Sequence, residues 1–241
     1  MVYEKKGKFD FNSILPHHRT TIIGKIGSGK SVLTHKILLH LSKRAFVVLL
    51  DTKGEYEDIK EFELSNLIDK KKGLFRVTSL EYRGYIIDDN QILAEFFSDL
   101  MVRQNKKRRK DGEMLTSYVL AIEEVGDVIS KHGRLYDIMP KFALLLQQGR
   151  SLKIGYLGTT QRVAEIHTTI ISQSYHVMSF AVTSENDLKA MKTYIDADKY
   201  LNLNRFQFYH VNHAENYIKH CYKLYLTPSE KRYYHKVFGE S

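Results

Sequence analysis

The sequence predicts an α/β fold with a mostly parallel central sheet flanked by helices. Short apolar runs rich in Val, Ile and Tyr alternate with segments of helical periodicity, a pattern typical of repeated strand–helix–strand units. Neither an internal repeat nor a low-complexity linker interrupts the 241 residues. We expect residues 1–241 to form a single domain, with a core at about 18–200 and a C-terminal hairpin and basic tail at about 203–241.

The individual elements follow from these runs. The predicted strands are Thr20–Ile23, Ala45–Leu50, Leu74–Thr78, Tyr118–Ile122, Ile154–Thr159 and Tyr175–Val182. The predicted helices are Lys30–Leu41, Asn90–Val102, Leu135–Gln148 and Ala164–Ser172. Near the C-terminus, RFQFYHV and IKHCYKLYL alternate like strands around the turn-forming cluster NHAEN. They predict a hairpin appended to the edge of the sheet.

The composition is that of a soluble globular protein, with 43% hydrophobic and 27% charged residues. The longest purely apolar run, Ala45–Leu50, is far shorter than the ~18 residues of a membrane span, so none is expected. The start MVYEKKGKFD has no apolar segment, which argues against a secretory signal. A single cysteine permits no internal disulfide and fits a reducing compartment such as the cytoplasm.

Positive charge exceeds negative charge by nine, which favours contact with a polyanion. Two runs concentrate the surplus. One is Lys70–Lys72, and the other carries six basic residues in eight: Arg103, Lys106, Lys107, Arg108, Arg109 and Lys110. Two interpretations stay open for both runs: a solvated loop, or salt-sensitive contact with a phosphate backbone.

A phosphate-binding loop is the most specific motif. Between an apolar strand and an amphipathic segment stand Gly24, Lys25, Ile26, Gly27, Ser28, Gly29, Lys30, Ser31 and Val32. In this spacing the glycines let backbone N–H groups approach a phosphate closely, at the start of a helix. Lys30 is expected to reach the β- and γ-phosphates of ATP, and Ser31 to ligate Mg²⁺.

Acidic residues follow two of the predicted strands. Glu123 and Glu124 come directly after Tyr118–Ile122, where the carboxyl ends of parallel strands line one crevice. We assign Glu123 to the metal shell and Glu124 to the general base that activates water. Asp51 and Glu55 follow the second strand and are expected at the nucleotide, although an ordinary turn would look the same.

Taken in order, the motifs resemble those of the HerA/FtsK superfamily of P-loop DNA-translocating ATPases. The resemblance rests on GKIGSGKS, DTKGEY, LAIEE, QQGRSLKIGYLGTTQR and IHTTIISQSYHVMSFAVTSENDLKAM, and it extends over roughly residues 18–225. The acidic strand of that family usually ends Asp-Glu, whereas this one ends Glu-Glu. About twenty residues precede the phosphate-loop strand, so the N-terminal barrel of HerA is not expected.

The resemblance implies a RecA-like (ASCE) core, a homo-oligomeric ring of five or six subunits, and ATP-driven movement of double-stranded DNA. It matches Arg150 to an arginine finger and Gln161 to a polar sensor. Since Arg150 precedes its strand and Gln161 follows it, we expect Arg150 to act on the ATP of a neighbouring subunit. The length is similar to that of genome-packaging ATPases of double-stranded DNA viruses, which implies a capsid or portal-vertex partner and a place in the host cytoplasm or the virion.

Three alternatives remain at this point. One is a HerA-like ATPase that processes or transfers cellular or plasmid DNA. The second is a P-loop nucleoside or nucleotide kinase, although no Arg-rich lid is evident. The third is a non-enzymatic, nucleotide-gated ring subunit, for which the Glu at position 123 is the only support. Arg162 is open to two interpretations, a salt bridge or a DNA contact.

Overall fold

The structure, a computed structural model, describes residues 8–51, 53–62, 72–78, 81–82, 85–86, 89–111, 116–129, 138–192, 203–213 and 218–238. Lys70 and Lys71 of the short basic run, and the predicted helix start at 135–137, lie outside these residues. In the described part of the chain, eight strands form one sheet and two short strands form a separate pair.

The strands are numbered along the chain. They are β1 (Arg19–Ile23), β2 (Phe46–Leu50), β3 (Gly73–Val77), β4 (Glu81–Tyr82), β5 (Tyr85–Ile86), β6 (Tyr118–Ile122), β7 (Ile154–Thr160), β8 (His176–Ser179), β9 (Gln207–Asn212) and β10 (Ile218–Lys223). The α-helices are α1 (Lys30–Ser42), α2 (Asp89–Asp111), α3 (Val125–Val128), α4 (Ile138–Gln148), α5 (Thr168–Ser172), α6 (Glu185–Met191) and α7 (Pro228–Phe238). A 3₁₀ turn, Gly149–Leu152, joins α4 to β7.

The order of strands in the large sheet is β10-β9-β8-β1-β7-β6-β2-β3. Strands β8 to β3 of this order run parallel, and the hairpin β9–β10 adds antiparallel strands at the edge beside β8. This confirms the predicted mostly parallel sheet and its C-terminal hairpin. Strand β7 lies between β1 and β6, and the three strands are parallel. The phosphate loop, Gln161 and the acidic pair therefore all follow the carboxyl-terminal ends of neighbouring strands, on the same side of the sheet.

Each face of the sheet carries a hydrophobic core, as a parallel sheet requires. Strand β2 is buried along its whole length, with Phe46, Val48 and Leu50 in one core and Val47 and Leu49 in the other. Helices α2 and α4 pack together over the first core. Helices α1 and α7 contribute to the second.

The basic run from Arg103 to Lys110 is helical, so of its two open interpretations the loop is wrong. The predicted helix Asn90–Val102 continues to Asp111 because Lys and Arg are good helix formers and because Gln104 anchors the extension. The buried Gln104 amide donates to the backbone oxygens of Thr116 and Leu152, at 2.8 and 2.9 Å. The basic side chains from Lys106 to Arg109 stand exposed around this anchor.

Two other predicted elements are shorter than expected. Strand β8 covers His176–Ser179 rather than Tyr175–Val182, and α5 covers Thr168–Ser172 rather than Ala164–Ser172. The end of the β8 segment still continues beside β1, since Phe180 N–H donates to the Ile23 oxygen at 2.8 Å. Ala164 N–H donates to the Asp187 carboxylate, so the chain before α5 bonds to α6 instead of forming a helical turn.

Helix α7 packs on α1 through polar and aromatic contacts. His35 of α1 lies 2.9 Å from the Asp58 carboxylate and 3.3 Å from the Tyr234 hydroxyl. Tyr233 donates a hydrogen bond to the same Asp58, and Lys36 forms an ion pair with Glu230. These contacts fix the C-terminal helix beside the phosphate loop, from which α1 begins. Over the described residues, the structure contains no helix with the length and apolar character of a membrane span.

Three histidines form a hydrogen-bonded chain across β1, β8 and β9: His18, which is half-buried, and His176 and His210, which are buried. Leu15 N–H donates to His18 Nδ1, so His176 Nε2, 2.8 Å from the same nitrogen, must donate to it. His176 Nδ1 then accepts from His210 Nε2 at 3.0 Å. Burial, followed by the charges of neighbouring histidines, lowers the pKa of His18 and of His176 to about 3, and nearby arginines add to the shift of His18. The His18 and His176 rings are therefore neutral in the folded protein.

The histidine chain predicts a loss of stability in mild acid. An unfolded histidine has a pKa near 6.5, so between about pH 6.5 and 3 the unfolded chain binds more protons than the folded chain. The free energy of unfolding should fall as the pH decreases through this range, and His176→Leu should reduce that fall. Urea titrations at pH 7.5 and 4.5 measure both. His235→Leu, which removes an exposed histidine, should show the wild-type fall in the free energy of unfolding between the two pH values. A fall of the same size in His176→Leu as in wild type would contradict the prediction.

Candidate active site

The phosphate loop connects β1 to α1 as predicted, and two of its glycines have positive φ. Gly27 has φ 71° and Gly29 has φ 101°, a region that other residues rarely adopt. Gly29 also leaves no room for a side chain, because a Cβ there would lie 2.4 Å from the ring of Phe206. The loop therefore depends on glycine for its conformation and for its contact with the C-terminal segment.

A cavity of about 490 Å³ opens over the loop. Seven of the predicted residues line it: Lys25, Ile26, Gly27, Lys30, Ser31, Glu55 and Gln161. Its other lining residues are Lys53, Arg205 and Phe238, which the sequence analysis did not select. Among the other predicted loop residues, Val32 is fully buried beneath the loop in the hydrophobic core.

The features of the loop fit an anionic ligand. Lys30, the first residue of α1, is 6% exposed, and burial lowers its pKa, while the nearby carboxylates of Glu124 and Glu123 oppose that shift. Ser28 Oγ is buried and has no hydrogen-bond partner among the described residues. A phosphate group would supply charge for Lys30 and an acceptor for Ser28.

Glu124 is held by the end of the neighbouring strand. Its carboxylate oxygens accept from Gln161 N–H at 3.0 and 3.2 Å, and its own N–H donates to Thr159 Oγ1 at 3.1 Å. The residue has left-handed backbone angles, φ 46° and ψ 70°, which are strained for a residue with a side chain. Strand β7 thus fixes both the backbone and the carboxylate of Glu124 at the edge where the cavity lies.

Glu123 lies in a group of three carboxyl residues. Burial, followed by contacts with Asp51 and Glu55, raises its pKa well above the usual range. Its Oε2 is buried without a hydrogen-bond partner in the described part of the chain. No group of three or more His, Cys, Asp or Glu side chains among the described residues is arranged to hold a metal by itself. The buried Oε2 of Glu123 is a candidate ligand for Mg²⁺, which binds through one or two carboxylates together with water and substrate phosphates.

The turn after β2 places Tyr56 against the loop. Asp51 is buried and accepts from the N–H groups of Glu55 and Tyr56 at 3.0 and 2.9 Å. The Tyr56 hydroxyl bonds to Ser31, and burial raises the Tyr56 pKa well above its usual value. Arg76 of β3 contacts the Asp51 carboxylate at 3.4 Å. Asp51 therefore shapes the turn, whereas Glu55 reaches the cavity.

Arg150 lies far from this cavity. It belongs to the 3₁₀ turn before β7, whereas Gln161 follows the strand, and the seven residues of β7 span about 23 Å. The exposed guanidinium donates to the Tyr175 hydroxyl and lies 5.6 Å from the centre of its ring. Tyr175 in turn stacks on His18 at 5.0 Å between ring centres. Arg150 is thus displayed on the surface at the amino-terminal ends of the strands, opposite the cavity.

The remaining basic residues also have defined surroundings. Arg162 forms an ion pair with Glu165 at 2.9 Å and approaches Asp187 at 4.0 Å, so the salt-bridge interpretation describes this structure. On α2, Arg108 lies 3.5 Å from Ser151 Oγ in the 3₁₀ turn. The exposed basic end of α2 therefore lies beside Arg150 and not beside the cavity.

Several residues at the site were missed for different reasons. Lys53 and Tyr56 stand inside the quoted DTKGEY motif, and Lys53 Nζ lies 3.7 Å from the Glu124 carboxylate. A charge within the apolar strand GLFRV could have drawn attention to Arg76. Arg205 and Phe238 carry no local signal, because they reach the cavity only through the packing of the C-terminal segment.

The comparisons with known proteins bear on this arrangement. The family model for the central domain of the helicase HerA matches residues 4–229. The chain belongs to this family. Its membership confirms the resemblance predicted from the five motifs. A search of curated proteins gave no significant match.

Solved structures support the same fold for this HerA-family chain. The genome packaging NTPase B204 from Sulfolobus turreted icosahedral virus 2, in complex with AMP, matches with a TM-score of 0.66 and 18% identity, covering 88% of this chain and 100% of that one. The pCW3 conjugation coupling protein TcpA, with ATPγS, matches with a TM-score of 0.62 and 18% identity, covering 85% and 60%. The cytoplasmic domain of the Type VII secretion ATPase EccC from Thermomonospora curvata has a TM-score of 0.56 and 16% identity, covering 83% and 25%. The fold is a RecA-like P-loop ATPase fold.

The two threonines at the end of β7 allow a matched test of the support for Glu124. Thr159→Val removes the acceptor of Glu124 N–H, whereas Thr160→Val removes only the acceptor of Arg162 N–H. An unpaired buried N–H costs about 1–3 kcal/mol. Thr159→Val should lower the free energy of unfolding by about that amount and reduce ATP hydrolysis. Thr160→Val should leave the rate of ATP hydrolysis near that of wild type. Equal rates in the two variants would contradict the role of Thr159 in positioning Glu124.

Proposed function

We propose that the protein is an ATP-driven double-stranded DNA translocase that works as a homo-oligomeric ring of five or six subunits and packages a viral genome. The observation that carries the proposal is that the phosphate loop and Gln161 line one cavity, while the Glu124 carboxylate is bonded to Gln161 N–H at the same ends of the strands. Membership of the HerA family and the similarity to B204, a genome packaging NTPase, support the DNA substrate and the packaging role. The similarity to TcpA, a conjugation coupling protein, favours a second candidate, a plasmid DNA-transfer ATPase.

The residues around the cavity divide the chemistry of ATP hydrolysis among them. The loop N–H groups and Lys30 bind the phosphates. Ser31 and Glu123 would hold Mg²⁺, whose charge would offset that of the phosphate oxygens. Glu124, oriented by Gln161 N–H and Thr159, accepts the proton of the attacking water. The Gln161 side chain at the cavity responds to the γ-phosphate or to that water.

Arg150 would complete the site of an adjacent subunit. Its place at the opposite edge of the sheet is unsuited to its own cavity but is available to a neighbour in a ring. An arginine delivered in this way can accelerate phosphoryl transfer by several orders of magnitude. The exposed basic end of α2 beside it is a candidate DNA contact, through phosphates and without sequence preference.

We further propose that residues 1–241 act as one P-loop ATPase domain in the host cytoplasm or the virion, anchored to a capsid or portal-vertex protein. The hairpin supports the single domain because β9 pairs with β8 in the same sheet. The C-terminal segment also supports it, because Arg205 and Phe238 line the cavity of the core.

Duplex DNA should stimulate ATP hydrolysis by the wild-type protein. Glu124→Gln should bind ATP normally but lose about 10²–10⁴-fold in turnover with or without DNA. Glu165→Gln, at an exposed acid paired with Arg162, serves as its control and should keep wild-type turnover. Hydrolysis that is equal with and without DNA, together with no gel shift at low salt, would contradict DNA translocation.

Gel shifts over a range of salt concentrations test the basic end of α2. Alanine at Lys106, Lys107, Arg108 and Arg109 should weaken DNA binding and flatten its dependence on salt, by about 0.9 in the logarithmic slope for each DNA phosphate that the variant no longer neutralises. Alanine at Lys231 and Arg232, two exposed basic residues of α7, provides the comparison. An equal slope in both variants would exclude α2 as the DNA contact.

Mixed rings test the action of Arg150. Arg150→Ala should bind ATP without hydrolysing it, and Lys30→Ala should fail to use ATP while still presenting Arg150. Mixing the two should restore part of the turnover, since an intact arginine then meets an intact phosphate loop across some interfaces. Turnover measured over a range of mixing ratios checks this. Mixtures with no recovery at any ratio would rule out action on a neighbouring subunit.

A further inference from the structure

The C-terminal segment supplies two side chains to the cavity. Arg205, just before β9, and Phe238, at the end of α7, line it together with the phosphate loop. Neither belongs to the groups that bind phosphate or activate water. They provide a cation and an aromatic ring at a site whose other lining residues come from the loop and from the ends of strands.

Phe238 is fixed in place by other aromatic rings. It meets the ring of Tyr56 edge-on at 5.2 Å between centres, and it stacks on Tyr234 at 5.9 Å with 11° between the planes. His35 of α1 lies 6.2 Å away. Tyr56 is itself bonded to Ser31, so the position of Phe238 is tied to that of the loop. A ring held in this way loses little conformational entropy when a flat ligand packs on it.

Arg205 is held near the phosphate loop by its neighbour Phe206. The next residue, Phe206, donates its N–H to the Ser28 oxygen at 3.0 Å and covers Gly29 with its ring. The Arg205 guanidinium lies 4.9 Å from the centre of the Phe206 ring. Phe206 has φ 63°, a strained conformation that directs the chain over the loop. The Phe206 contact therefore holds the Arg205 guanidinium at the cavity.

We propose that Phe238 and Arg205 form the nucleobase subsite of the cavity. The base of a nucleoside triphosphate packs its flat face on the Phe238 ring, and the Arg205 guanidinium contacts the base from the Phe206 side. Stacking on an aromatic ring and contact with a guanidinium are both favourable for any base. The cavity volume of about 490 Å³ lies in the range of small-molecule sites. This proposal rests on the proposed function, because it extends the same ATP site.

Inorganic tripolyphosphate separates the two parts of the site, because it has the phosphates of ATP and no base. Isothermal titration of the full chain with a non-hydrolysable ATP analogue and with tripolyphosphate, both in Mg²⁺, gives two affinities for each variant. Phe238→Ala should weaken binding of the analogue about tenfold or more. It should change the affinity for tripolyphosphate by less than about twofold. Arg205→Ala should act in the same direction.

Two further variants guard against a local packing effect. Phe238→Leu keeps an apolar contact with Tyr56 and Tyr234 but removes the flat face, so it should still weaken the analogue selectively. Arg232→Ala removes an exposed charge of α7 and should leave both affinities unchanged. The nucleobase subsite would be ruled out if Phe238→Ala bound the analogue with wild-type affinity. It would also be ruled out if the affinities for the analogue and for tripolyphosphate fell equally.

The proposed function fails in a different way. Lys30→Ala should bind neither the ATP analogue nor tripolyphosphate, because Lys30 belongs to the phosphate loop. If the wild-type protein binds neither ligand, the proposed ATPase fails and the subsite fails with it. Selective loss of the analogue in Phe238→Ala supports the subsite even where DNA does not stimulate hydrolysis.

Discussion

The pairing of the ends of β6 and β7 is the constraint on which the site depends. Thr159 of β7 accepts from the Glu124 N–H through its Oγ1, and Gln161, the residue after β7, donates its N–H to the Glu124 carboxylate. These bonds compensate for the strained backbone of Glu124, because a residue with φ 46° persists only where its surroundings fix it. The polar residues Thr159, Thr160 and Gln161 at the end of β7 thus have a structural reason in the residues that follow the adjacent strand β6.

The second requirement is that several acidic groups share one small volume. Asp51 satisfies part of its charge through two N–H groups and Arg76, while Glu123 remains in a setting that favours its protonated form. Lys30 and Lys53 offer positive charge on the cavity side. The site therefore holds opposite charges that a nucleotide and a cation would rearrange.

Much of this arrangement follows from local patterns. The loop spacing, the acidic pair and the strand ending in Gln161 predict which residues meet, because parallel strands bring their carboxyl ends to one edge. The loop interpretation of the basic end of α2 is wrong, since charge indicates exposure but does not distinguish a loop from an exposed helix. The positive φ of Glu124 and the anchoring of Gln104 depend on partners distant in sequence. Arg205 and Phe238 could not be predicted, because no short-range periodicity records where a terminal helix docks.

The contribution of the C-terminal segment to the cavity also affects the order in which the site forms during synthesis. The phosphate loop leaves the ribosome about 200 residues before Phe238 does. At about 5–20 residues per second, roughly 10–40 s separate the two events. For most of that interval the nascent chain has its glycine loop without Phe206 above it, and throughout the interval it lacks the complete α7 beside α1. With the proposed nucleobase subsite, a nucleotide contributes its full binding energy to folding only after Phe238 has emerged.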